Sequence, residues 1–388
     1  MNAMIPLALA VSAAAAPPPR TPLSFAFDLY RQVAAANPGK NVFLSPASAR
    51  WALGIAYAGA AGRTQEAMAN TLGALPPAEN MKAESARIAS LMSADPKVKL
   101  RVANAIWLKR GFPFHKDFVS AVTAAYRADV FERDFEPTDA QEANAWVSKK
   151  TEGKIPTILD KFKADDRAVL INAVYFKGTW TDQFEAWMTT DEDFHIASGK
   201  TVKRKLMDRR GEYPDYKGPG FQAVRLPYGS KRLGMIVLLP VPGAPLKTLD
   251  AVAADAAAWP TILAGMRQRE GRVRIPRFKL EFIAPLNDPL TAMGMGIAFD
   301  RMRADFTGMA DARKPDDRLF ISSVLQKTFV EVNEEGTEAA AATAVHFAAL
   351  GSAPRLDFDF IADRPFLYAI EDHETGEIIF LGALHDPR

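Results

Sequence analysis

The chain has 388 residues, of which 48% are hydrophobic and 24% charged, and its formal net charge is +2. This is a globular balance with material for a large core, and length alone points to two or three domains. Basic and acidic residues are interspersed, which leaves no electrostatic footprint for nucleic acid or a membrane surface, and the absence of cysteine excludes disulfides, thiol nucleophiles and thiolate metal sites.

Residues 1–20 are rich in alanine and proline. Ile5 to Ala16 form an apolar run closed by small residues, the pattern of a cleavable export signal, although the basic start of such a signal is missing. The competing reading of 1–20 is a disordered tail. The expected location is secreted or periplasmic with a signal, and cytoplasmic without one. No apolar run reaches the roughly 18 residues of a membrane helix.

From Thr21 to Ala36, apolar residues at Phe25, Phe27, Leu29, Tyr30 and Val33 predict an amphipathic helix, capped by Thr21 and ended by Pro38-Gly39. Asn41 to Leu44 reads as a short buried strand, and Ser45-Pro46-Ala47-Ser48 as the capped start of a helix whose small residues permit close packing. Val98 to Leu108 alternates and then turns wholly apolar, the pattern of a strand running into a buried sheet. Phe118 to Tyr126 and Thr138 to Thr151 read as helices. Ala168 to Trp180 is a central strand, and Asn172 inside its apolar run needs a hydrogen-bond partner. Leu226–Tyr228 and Met235–Pro240 read as paired strands, Val273–Glu281 as one strand, and Leu290–Phe306 as a helix and turn. Arg364–Tyr368 and Ile378–Gly382 read as two buried strands around a turn at Glu374–Gly376.

Little here suggests catalysis. The five histidines, His115, His195, His346, His373 and His385, show no metal-ligand spacing. No Gly-x-Ser-x-Gly elbow occurs, and Met293-Gly294-Met295-Gly296 lacks the spacing and lysine of a phosphate loop. Lys203-Arg204-Lys205 and Arg209-Arg210 read as solvated surface, with a polyanion site as the alternative.

The most informative stretch runs from Asn333 to Pro354. It lies between strand-like runs, 319–332 before it and Leu356–Ile361 after it, and about twenty structureless residues inside a compact domain are uncommon. Helix propensity of Glu and Ala favours a helix over 337–349. Alternation favours a strand: Thr337, Ala339, Ala341, Thr343 and Val345 form a set without charge or bulk, and Glu338, Ala340, Ala342, Ala344 and His346 form the other. Such a segment can slide into an existing sheet, burying one face with little steric resistance.

The string Glu334-Glu335-Gly336-Thr337-Glu338-Ala339-Ala340-Ala341-Ala342-Thr343 resembles the hinge of the serpins, inhibitors of serine proteases. The Ser45-Pro46-Ala47-Ser48 segment, the Asn172…Phe176-Lys177-Gly178-Thr179-Trp180 string with Phe184 and Asp193-Phe194-His195, and the C-terminal strands carry the same resemblance, which spans about 21–387. It implies one α+β domain over 21–388, with three β-sheets, about nine helices and an exposed reactive-centre loop. It also implies that Ser45, Ser48, Asn172 and Gln326 form a buried shutter at mid-sheet, with Gln326 where many members carry histidine. Glu334 is expected to pair with Arg277 near Trp180 at the breach, where insertion begins. Counting along the hinge with the family's spacing places the attacked bond between Leu350 and Gly351, with Phe347, Ala348 and Ala349 as alternatives. Leu350 suits a chymotrypsin-like or elastase-like target. The resemblance implies an inhibitor and not an enzyme, with no cofactor and no metal, that acts as a monomer and forms a covalent complex with its protease. The alternative is a non-inhibitory serpin, a carrier, chaperone or storage protein; those commonly carry bulky, charged or proline residues in the hinge, and this hinge has none.

Overall fold

The computed structural model describes residues 20–255, 257–311, 318–337 and 356–387. In chain order these give helix α1 (Pro22–Ala35), strand β1 (Val42–Leu44), helices α2 (Pro46–Ala58), α3 (Gly62–Leu72) and α4 (Pro77–Met92), strand β2 (Val98–Lys109), helix α5 (Lys116–Tyr126), strand β3 (Asp129–Arg133), helix α6 (Pro137–Lys150) and strand β4 (Ala168–Thr179). Strands β5 (Thr190–His195), β6 (Thr201–Gly218), β7 (Phe221–Pro227) and β8 (Leu233–Pro240) follow. After them come short helices α7 (Asp250–Ala254) and α8 (Ala258–Gly265), strands β9 (Arg267–Pro276) and β10 (Phe278–Pro285), and one turn of helix, α9 (Asn287–Leu290). Strands β11 (Ile321–Asn333), β12 (Gly336–Thr337), β13 (Phe358–Ile361), β14 (Phe366–Asp372) and β15 (Glu377–Leu384) complete the described residues. The architecture is α+β.

Local chemistry explains the helix starts. Thr21 Oγ1 accepts from Ser24 N at 3.1 Å while Ser24 Oγ accepts from Thr21 N at 2.7 Å, a reciprocal cap with Pro22 in the first turn. Ser45 caps α2 in one direction only, its Oγ accepting from Ser48 N at 3.4 Å, with Pro46 in the first turn. Helix α2 is buried over nearly its whole length, so it is a core helix rather than a surface one.

The main sheet has six strands in the order β10-β11-β12-β4-β2-β3. Strands β11 and β4 also pair directly and in parallel, from Ile321↔Ala168 to Phe329↔Tyr175, so β12 lies between them only beyond that run. Behind this sheet a large apolar core holds α1, α2 and the second sheet; in front, a smaller core seats α6 and residues 155–162 on Trp107, Ile171, Tyr175 and Phe329.

The structure differs from the sequence-based expectation in three places. Only two hydrogen-bonded sheets occur among the described residues, not three. Strand β6 is 18 residues long and pairs successively with β5, β9 and β7, so two smaller sheets merge into one of nine strands. The single strand expected over 273–281 is two, β9 and β10, which belong to different sheets. The break falls at Pro276 and Arg277, where Pro276 has no N–H to give and Arg277 N bonds to Lys205 O at 2.8 Å. The helix expected from Leu290 is short and irregular, because Gly294 adopts φ 107° and kinks it.

Candidate functional site: shutter, breach and the start of a strand

At mid-sheet, Asn172 on β4 stands beside Gln326 on β11 and opposite Asn104 on β2. Asn172 Nδ2 donates to Ser48 Oγ at 2.6 Å and to Asn104 Oδ1 at 2.7 Å, and its Oδ1 accepts from Gln326 Nε2 at 2.6 Å. Gln326 Nε2 also donates to Ser45 O, and its Oε1 accepts from Ser45 N, both at 2.9 Å. Ser45 Oγ donates to Ile379 O at 2.7 Å in the second sheet. All five side chains are buried. A polar network sealed in an apolar interior is costly unless each member is satisfied, and here bonds run between every neighbouring pair. Strands β2, β4 and β11 are thereby fixed to the first turn of α2. Sequence reasoning brought together Ser45, Ser48, Asn172 and Gln326 but missed Asn104. The signal for it was present: a lone Asn in the apolar run Ala103-Asn104-Ala105-Ile106, the same pattern that singled out Asn172.

At the end of the sheet, Trp180 is buried, and its indole Nε1 donates to Asn333 O at 2.9 Å. Arg277, at the corner between β9 and β10, pairs with Glu334, whose carboxylate also accepts from Thr189 Oγ1. Phe184 N donates to Glu334 O at 2.8 Å and Trp180 N to Glu335 O at 2.9 Å. The turn at 334–335 is therefore tied down at side chain and backbone alike.

Beyond that turn the chain starts a strand. Gly336 and Thr337 form antiparallel pairs with Asn333 and Val332 of β11 on one side and with Thr179 and Gly178 of β4 on the other. Gly336 has φ 147°, and a Cβ there would sit 2.0 Å from Gly178 O, so only glycine fits. Thr337 is fully buried, with its Oγ1 2.8 Å from Tyr228 Oη. The Tyr228 ring stacks on Trp180 with centroids 4.4 Å apart and planes 11° from parallel. Burial pushes the Tyr228 hydroxyl well above its usual range, so it stays protonated and able to donate. Sequence reasoning placed Tyr228 in a strand motif and gave it no role in the site. Hinge residues Glu338, Ala339, Ala340, Ala341, Ala342 and Thr343, and the expected reactive bond Leu350–Gly351, lie outside the described residues.

Lys203, Arg204, Lys205 and Arg209 each pair with an aspartate, Asp193, Asp386, Asp191 and Asp182 respectively, so these residues are not a free basic patch. Among the described residues no three His, Asp or Glu side chains are grouped to hold a metal ion, and no helix is long and apolar enough to cross a membrane.

Comparison with known proteins identifies the family and the fold. The family model for serpins, serine protease inhibitors, matches residues 20–387. A serpin-like protein of Thermococcus kodakarensis is 37% identical over 374 residues, covering 94% of this chain and 84% of its own length. Leukocyte elastase inhibitor of Sus scrofa is 36% identical over 391 residues, covering 94% and 97%. The thermophilic serpin tengpin, solved in its native state, superimposes with a TM-score of 0.86 at 28% identity over 94% of this chain and 92% of its own. The chain belongs to the serpin family. The family is one of serine protease inhibitors and not of catalysts, so the chain is not an enzyme.

Proposed function

We propose that this protein is an inhibitory serpin that acts as a suicide substrate for a chymotrypsin-like or elastase-like serine protease. The observation that carries the reading is the pair Gly336–Thr337, seated as a strand between β11 and β4 above a seam where those two strands close on each other. Opening that seam gives the chain after Thr337 a slot in the register it has already started.

The protease serine Oγ attacks the carbonyl carbon of Leu350. The C–N bond to Gly351 breaks, an acyl ester forms, and the serine's proton leaves with the new amine. Cleavage frees the arm that continues from Thr337, which inserts and carries the ester-linked protease with it. About 14 strand residues at roughly 3.3 Å each span some 45 Å. Roughly a dozen new ladder bonds at about 1 kcal/mol each contribute on the order of 10 kcal/mol. A protease domain is typically stable by about 5–15 kcal/mol, so insertion can distort its active site before water hydrolyses the ester.

The test is to mix the protein with chymotrypsin and with elastase and resolve the products in detergent. A band at the summed mass, stable to boiling, supports a covalent complex from a single inhibitor chain. Clean cleavage in the 338–355 segment with full recovery of protease activity across a protease panel overturns inhibition.

A further inference from the structure

Tyr228 lies at the start of a tight turn, residues 228–233, that joins β7 to β8. The turn is closed by Tyr228 N donating to Leu233 O at 2.8 Å and Lys231 N to Tyr228 O at 2.7 Å. Its backbone is unusual: Lys231 adopts φ 80° and Gly229 φ 46°. A lysine in the left-handed region is strained, and such strain persists only where the surroundings impose it.

Those surroundings are ionic and buried. Arg225, on β7, donates through Nη2 to Lys231 O at 3.0 Å and to Arg232 O at 3.2 Å, and through Nε to Glu371 Oε1 at 2.8 Å. Glu371 on β14 has no solvent exposure, and its Oε2 has no hydrogen-bond partner. The space is tight: a Cβ at Gly234 would lie 2.7 Å from the Arg225 guanidinium carbon. From the other side, the Asp95 carboxylate accepts from Ser230 N and, at 2.7 Å, from Lys97 N. Gly229 N donates to Thr179 O at 2.9 Å, and Thr181 Oγ1 to Gly229 O at 2.9 Å, which knits the turn to the end of β4.

A buried ion pair is a poor way to stabilise a fold, since an apolar pair of the same volume often does as well or better. With one carboxylate oxygen unbonded, this pair is poorer still. What it does supply is two fixed donors for the carbonyls of the strained turn. The turn in turn fixes the Tyr228 ring, which fills the space beside Gly178, where a Cβ would come within 2.9 Å of it, and holds the hydroxyl against Thr337.

We propose that the buried Arg225–Glu371 pair is a positioning device for loop insertion, acting through the 228–233 turn to hold Tyr228 as the seat of the first inserted side chain, that of Thr337. Among the described residues, Arg225 and Glu371 form no hydrogen bond or ion pair with Gly336 or Thr337. They set how firmly the inserted strand is started, and so how often insertion outruns deacylation. This rests on the inhibitory reading above, but the seat itself exists in the intact protein and is measurable there.

The experiment is a cycle of Glu371→Gln, Tyr228→Phe and the double variant in the full-length protein. The first readout is amide hydrogen exchange of Gly336 and Thr337 before any protease is added. Each single variant is expected to speed exchange about fivefold, since Tyr228→Phe loses one hydrogen bond and Glu371→Gln keeps an acceptor for Arg225 Nε but loses the charge that roughly doubles that bond's strength, and the double variant no more than either single, because both weaken one chain of contacts. The second readout is the share of inhibitor turned over as substrate by chymotrypsin, expected to rise by a similar factor with the association rate unchanged. Unchanged exchange in Glu371→Gln, or full additivity in the double variant, overturns the proposal. Arg225→Met is expected to reproduce Glu371→Gln; if it does not fold, Glu371→Gln still decides. If the wild type inhibits no protease, the inhibitory reading falls, while the exchange result still decides whether the pair holds the seat.

Discussion

Gln326 uses both ends of its amide at once, accepting from Ser45 N and donating to Ser45 O and Asn172 Oδ1. An amide does not titrate, so this shutter carries no proton-driven release between pH 6 and 8. Gln326→His is expected to create one. A buried imidazole has its folded pKa pushed below the unfolded value of about 6.5, so the variant loses stability relative to wild type as pH falls through that value. Parallel melting curves at pH 8 and pH 5.5 check it, and an equal shift in both proteins refutes it. Gln326→Ala strands Asn172 Oδ1 and the Ser45 amide in the interior and should cost about 2–4 kcal/mol in chemical denaturation. Thr337→Arg would drive a long cation into the space between Val332, Gly178 and Tyr228. We expect it to turn the inhibitor into a substrate, and a detergent-stable complex from that variant would refute insertion through Thr337. Asn172 was legible because a polar residue inside an apolar run demands a partner, whereas Ser45, Ser48 and Gln326 were grouped with it by the family resemblance alone. Tyr228 was not legible, because its task comes from a bridge to Trp180 that no local pattern announces.

Helix α6 and the segment after it lie across the front of the seam, and their attachments are uneven. On the β3 side, Arg133 grips Glu142 in a two-pronged pair, and Asp129 accepts from both Trp146 Nε1 and Lys150 at 2.8 Å. The Arg133 hydrogen bonds hold the Glu142 carboxyl below its usual range. Burial pushes the Asp129 carboxyl up, but its bonds to Lys150 and Trp146 outweigh this, so it too sits low. Depressed carboxylates stabilise above their unfolded pKa, near 4, and lose that contribution as pH falls through the folded value, so acid should free α6 from β3. On the β11 side the tether is Lys327, nearly buried, whose Nζ donates to Thr157 O at 2.6 Å and pairs with Glu281. The seam cannot widen beneath residues 155–162 until that tether lets go. Lys327→Met is therefore expected to speed loop insertion after cleavage several-fold while costing the intact form about 1–3 kcal/mol. Stopped-flow fluorescence of a dye placed on the loop reads the first, and an unchanged rate shows the tether is no barrier. Sequence patterning located α6 within one residue at either end. It could not locate the Lys327 tether, because the carbonyl it reaches belongs to an irregular segment whose path is set by packing on Trp107 and Phe329.

At the scale of the whole molecule the decisive feature is that one sheet contains both a closed seam and the first two residues of the strand that could open it. The α+β class was readable from the serpin resemblance that the strand and helix motifs carry along the chain. The merging of two sheets through β6 was not, since its polar, basic stretch looked like solvated surface. That surface proves to be strand, and Lys203, Arg204, Lys205 and Arg209 on it each pair with an aspartate. On the inhibitory reading, strand addition puts a number on the free energy that cleavage would release. Ladder bonds alone contribute on the order of 10 kcal/mol. Unfolding entropy of about 2 cal/mol/K per residue over 388 residues gives roughly 0.8 kcal/mol per degree. A chain nicked between 338 and 355 should therefore melt at least about 10 °C above the intact one, and more once apolar burial of the inward-facing set is added. Differential scanning calorimetry before and after limited proteolysis measures the difference directly. The same experiment on Thr337→Arg separates insertion from mere cleavage: the nicked variant should gain little, because its first inward residue cannot be seated. If the nicked wild type melts with the intact form, β12 is only the end of a hairpin, and no free energy is stored to act on a protease.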